Sequence, residues 1–127
     1  MDSSSKPFAT VRKTASRAAT VDDPVEEHVQ AYNARDLERF VACFSPDCVM
    51  EDARGTVLLR GHEDLRAHFS RLFDENPELH CDVVHRTRVG EYVVDEEHIT
   101  GRDGGEQHGV VVSHVSGGVI DHQRVIR

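Results

Sequence analysis

The stretch from residue 79 to residue 126 constrains the fold most. It holds four successive strand-like runs, at 79–89, 91–100, 107–115 and 119–126, rich in Val with Thr and Ile. Glycine-bearing turns separate them: Gly90, the run "GRDGGE", and Ser116-Gly117-Gly118. Turns this short join antiparallel neighbours, so the pattern predicts a four-strand antiparallel meander. A meander has one face to bury, and the residues ahead of it must supply the cover.

Those residues read as helices. Asp23-Pro24-Val25-Glu26 is a cap, a proline at the first helical position and a glutamate three residues after the cap. Val25, His28, Val29 and Tyr32 then share one helical face. After a break at Asn33-Ala34-Arg35, Asp36 caps a second helix carrying Leu37, Phe40, Val41 and Phe44 at helical spacing, and Ser45-Pro46-Asp47 stops it. A short strand is expected over 48–53 and another at 57–59. A third helix is expected over 61–76, with Leu65, Phe69, Leu72 and Phe73 inward and Pro77 at its end. The expected class is α+β, with three helices packed on one face of a curved, mainly antiparallel sheet.

The chain has 127 residues and suits one domain. Its net charge of −8 excludes the basic surface that nucleic acid or anionic membranes require. The start is different: basic, rich in Ser, Thr and Ala, and without an apolar run. Residues 1–22 are therefore expected to be a flexible extension, and 23–127 the domain. Cys43, Cys48 and Cys81 form no C-x-x-C, which fits a reduced, cytoplasmic protein. The nine histidines show no H-x-H, H-x-x-x-H or H-E-x-x-H spacing, so no protein-bound metal is expected.

Several segments carry a family resemblance. "YNARDLERFVACFSPDCVMED", "RGHEDLRAHF" and "HVSGGVIDHQRVI" resemble the opening helices and first strand, the third helix and the closing hairpin of the NTF2-like cone fold. Within that fold they resemble the SnoaL-like polyketide cyclases and ketosteroid isomerases, over about residues 24–126. The resemblance implies a cofactor-independent isomerase or cyclase acting on an apolar, ketosteroid- or polyketide-like carbonyl compound.

By the same resemblance, Asp52 stands where the isomerases carry their catalytic base, and His28 and His108 stand where they carry two oxyanion donors. An imidazole N–H can donate to a developing oxyanion. Strand alternation puts Cys48, Met50 and Asp52 on one face and Glu51 on the other. Asp52 is thus expected to share a cavity with His28, and Glu51 to lie outside it. Tyr32, Phe40, Met50, Phe69 and Phe73 are the expected apolar contacts for a small carbonyl-containing ligand.

Two other functions remain open at this point. One is a non-catalytic NTF2-like domain that binds a small ligand or serves assembly. The other is an epoxide-opening hydrolase of the same fold, which needs an Asp-Arg-Asp set to activate water. Because three short helices leave one sheet face bare, a homodimer through the sheet is expected, using Val84, Val93, Val111 and Val125.

Overall fold

The computed structural model describes residues 23–127. The expected extension over 1–22 lies outside the described residues. Three helices cover one face of a six-stranded sheet.

Helix α1 (Pro24–Ala34) begins as its sequence requires, with the Asp23 carboxylate accepting from the Glu26 N–H at 3.2 Å. It ends at Arg35, which takes the left-handed conformation (φ 52°). The Arg35 guanidinium donates to the Leu79 carbonyl at 2.8 Å, which ties the turn to the start of the meander. Helix α2 (Leu37–Val41) is capped by Asp36 and is shorter than its apolar spacing suggests. Phe44 instead opens strand β1 (Phe44–Asp52), which runs through Pro46. Proline has no N–H for the ladder, and the pairing of β1 skips between Phe44 and Val49. Strand β2 (Val57–Arg60) and helix α3 (Gly61–Glu75) follow.

The meander consists of β3 (His80–Val89), β4 (Tyr92–Thr100), β5 (Gln107–Ser116) and β6 (Val119–Ile126). The sheet order is β2-β1-β6-β5-β4-β3, with β1 parallel to β6 and all other pairs antiparallel. Bulges interrupt β3 between Val83 and His85, and the β5–β6 ladder between His114 and Val115. Each adds a residue on one strand and bends it.

The inner face of β4 carries Val93, Asp95, Glu97 and Ile99, all buried, and that of β5 carries Val111 and Ser113. Helical residues Val25, Tyr32, Phe40, Leu65, Phe69 and Phe73 close over them. Phe40 stacks at 4.5–5.9 Å on Phe44, Phe69, Phe73 and His28 and forms the hub of the core.

The four valines named for a partner sheet do not share a face. Val93 and Val111 are buried against the helices and Val125 faces inward, because strand parity sends odd positions of β4 and β5 to the core. Val84, at the β3 bulge, is the one that stays exposed. The outer face is instead ruled by cross-strand pairs of histidine with carboxylate, among them His108 with Glu96 and His114 with Asp121.

Candidate active site

Between α1, α3 and the inner sheet face lies a narrow cavity of about 60 Å³. Its apolar wall includes Phe40, Met50, Phe69 and Ile99. Its polar groups are His28, Tyr32, Glu97, Gln123 and Arg127. Four expected contacts, Tyr32, Phe40, Met50 and Phe69, line it. Phe73 stands behind them, edge-on to Tyr32 at 5.7 Å.

His28 is buried, and burial pushes its pKa below the usual imidazole value. Its Nδ1 faces the Val25 carbonyl and must carry the proton of the neutral ring. Nε2 is then a lone pair, and it accepts from Gln123 Nε2 at 3.1 Å. The same amide nitrogen donates to Ser113 Oγ at 3.0 Å. His28 therefore reaches the cavity as expected, but as an acceptor that fixes Gln123. As a neutral ring it has no N–H left to offer an oxyanion.

His108 does not reach the cavity. It lies on the outer face of β5, exposed, with Nε2 2.7 Å from Glu96. The even positions of β5 point outward, so the position that the resemblance assigns to a donor lies on the wrong side of the sheet.

Asp52 stands at the cavity's outer end. Its Oδ1 accepts from the backbone N–H groups of Arg54 and Thr56, both at 2.9 Å, and so shapes the turn into β2. It does not line the inner cavity. It lines an open vestibule of about 520 Å³ that shares Val125 and Arg127 with that cavity. Glu51 lies on the opposite face as parity requires, bound to Arg124 at 2.8 Å and His122 at 3.2 Å.

The group that sequence reading passed over is Glu97. It is 6% exposed and lines the inner cavity. Burial raises its pKa to about 7, outweighing the Arg127 guanidinium 3.6 Å away, and the nearby Asp95 adds to the rise. The nearby Cys81 thiol favours the ionised carboxylate and offsets part of the rise. Tyr32, one turn beyond His28 on α1, is near enough to feel the Glu97 charge. Its hydroxyl, pushed up to about 12 mainly by burial, stays protonated. A carboxyl that exchanges its proton near neutrality and a hydroxyl that keeps its own thus share one apolar chamber. Glu97 could have been found by parity alone, since it alternates with Val93 and Ile99.

A carboxylate–arginine–carboxylate set does exist nearby. Arg86 binds Asp95 in a two-pronged pair at 2.6 and 2.9 Å and Glu26 at 2.7 Å. None of the three lines the cavity, and the pair with Asp95 consumes the inner carboxylate. It braces α1 against the sheet and does not form the water-activating set of an epoxide hydrolase.

The family model of the SnoaL-like domain matches residues 25–124. The chain belongs to the SnoaL-like family. Among solved structures, an uncharacterized cystatin-fold protein from Novosphingobium aromaticivorans is 27% identical, with a TM-score of 0.75, covering 82% of this chain and 95% of that one. A candidate polyketide cyclase from Sinorhizobium meliloti is 17% identical at a TM-score of 0.70, covering 80% and 92%. A protein with a ketosteroid isomerase-like fold from Catenulispora acidiphila, bound to trimethylamine, is 18% identical at 0.67, covering 84% and 85%. The last two likenesses speak to the fold alone. No curated protein matches the chain. Among the described residues, no helix is long and apolar enough to cross a membrane.

Proposed function

We propose that this SnoaL-like protein is a cofactor-independent isomerase or cyclase acting on a small apolar carbonyl compound, with Glu97 as its proton-transfer group. The observation that carries this reading is the placement of the buried Glu97 carboxyl in a cavity it shares with Tyr32, where burial pushes its pKa up to about 7. Ionised Glu97 takes a proton from the carbon next to the carbonyl. The electron pair moves onto the carbonyl oxygen, and the Tyr32 O–H donates a hydrogen bond to the enolate so formed. The protonated Glu97 then returns the proton at another carbon; alternatively the enolate carbon attacks a second carbonyl and closes a ring, the second carbonyl becomes an alkoxide, and that alkoxide takes the proton back from Glu97. Atoms and electrons balance without an added oxidant or reductant.

Asp52 is the second candidate for the base, because the vestibule it lines shares Val125 and Arg127 with the cavity. The two are separated by Glu97→Gln and Asp52→Asn, assayed on a panel of small ketones, ketosteroids and aromatic polyketide-like compounds. Proton transfer is followed as loss of deuterium from the carbon next to the carbonyl. Glu97→Gln is expected to lower the rate by about two to four orders of magnitude, with Asp52→Asn changing it far less. The reverse ranking would return the base to Asp52. Unchanged rates in both variants would remove the mechanism.

A cavity of about 60 Å³ walled by Phe40, Met50 and Phe69 also suits a small-ligand-binding domain without catalysis. Tight binding with no deuterium exchange for any compound of the panel would favour that reading.

A further inference from the structure

Among the described residues, several arginines are closely paired with carboxylates and several are not. Arg39, Arg66, Arg86, Arg88 and Arg124 each place a guanidinium nitrogen within 2.9 Å of a carboxylate oxygen. Arg54, Arg102 and Arg127, which line the vestibule together, lack such close partners among the described residues. Arg102 and Arg127 both donate to one neutral acceptor, Gln107 Oε1, at 3.4 and 3.0 Å. Arg127 otherwise reaches Glu97 at 3.6 Å. The Arg102 Nε–H is buried and has no hydrogen-bond partner among the described residues. A buried, charged donor without an acceptor carries a desolvation cost that a bound anion would relieve. In a chain of net charge −8, three arginines without a close carboxylate partner line this one vestibule.

We infer that the vestibule is a carboxylate-binding subsite, held by Arg54, Arg102 and Arg127, so that the substrate is a small oxo-acid. Its carbonyl end enters the inner cavity beside Glu97 and Tyr32, and its carboxylate stays among the arginines. This assignment rests on the reading of the cavity given above. Three guanidinium groups face two carboxyl groups, Asp52 in the vestibule and Glu97 just inside. One positive charge is left to balance, which fits a monoanion better than a phosphate dianion. The planar fork of a guanidinium also matches the two oxygens of a carboxylate. The inner cavity of about 60 Å³ holds only a short carbonyl-bearing segment, whereas the vestibule of about 520 Å³ leaves room for the rest of an acid.

The test is binding rather than turnover. Hexanoate, methyl hexanoate and pentyl phosphate are titrated into the full chain and followed by two-dimensional ¹H–¹⁵N NMR, including the arginine Nε–H region. Hexanoate is not a ketone or aldehyde, so its binding is independent of whether Glu97 acts as a base. It is expected to bind about five- to tenfold tighter than its ester, to shift the Arg102 Nε–H signal, and to weaken as salt rises. Arg102→Gln and, at the exposed rim, Arg54→Gln are each expected to remove most of that preference. Equal affinity for acid and ester, or a preference unmoved by both substitutions, overturns the subsite. Tighter binding of pentyl phosphate overturns its assignment to a carboxylate.

Discussion

Replacing Glu97 by glutamine separates the proposed chemistry from mere burial of a polar side chain. Burial pushes the Glu97 carboxyl up from its ordinary value of 4.5 to about 7. Between those values the folded state binds more protons than the unfolded one, so the Glu97 contribution to stability falls as pH rises through that window. It levels off above pH 7, where the ionised group disfavours folding by about 3 kcal/mol. Glutamine keeps the size and much of the hydrogen bonding but does not titrate. The variant is therefore expected to match the parent near pH 4 and to exceed it by about 3 kcal/mol at pH 8, roughly 10 °C or more in Tm. Urea denaturation of both proteins from pH 4 to pH 8 gives the difference directly, since the remaining carboxylates cancel between them. For an active substrate, kcat/KM of the parent should rise through about pH 7 and flatten, and Glu97→Gln should lose that profile along with the rate. Parallel stability curves for parent and variant would refute the raised pKa and, with it, the assignment of Glu97 as the base.

Three further outcomes are expected. Asp95→Ala leaves the half-buried Arg86 with Glu26 as its one remaining carboxylate, and should cost about 1–3 kcal/mol in urea denaturation. Gly101→Ala places a Cβ 2.0 Å from the Glu78 carbonyl oxygen at a φ of +75°, and should cost about 2 kcal/mol or more by thermal melting. The chain should sediment as a homodimer at micromolar concentration, docked through the outer sheet face where Val84, Val89 and Tyr92 are exposed. Val89→Asp should shift it toward monomer, whereas a parent that sediments as monomer alone removes the interface.

The sequence disclosed the frame of the fold because its signals are local. A capping aspartate followed by proline, three glycine turns and valine-rich runs between them each act over a few residues, and the boundaries of β6 and α3 follow from them almost to the residue. The exception is the end of α2. There the helical spacing of Phe44 with Leu37, Phe40 and Val41 competes with its pairing opposite Ile120 in β6. That partner lies at the far end of the chain, so no window around Phe44 could reveal it.

The site was less legible, and the reason is bulges and tautomers rather than composition. Asp52 and Glu51 part to opposite faces just as alternation demands, and so do Glu97 and Glu96. Yet Ile120 and Gln123, three residues apart, both face the core, because the bulge opposite His114 and Val115 adds Asp121 between them. That extra residue turns Gln123 toward His28. The Val25 carbonyl, by holding the proton on Nδ1, decides that His28 accepts from Gln123 instead of donating to a ligand. A helix face could show that His28 points inward. Which of its nitrogens carries the proton depends on a carbonyl three residues back and an amide 95 residues ahead. The cavity is thereby left with Tyr32 as its neutral donor and Glu97 as the one carboxyl free to trade a proton near neutral pH.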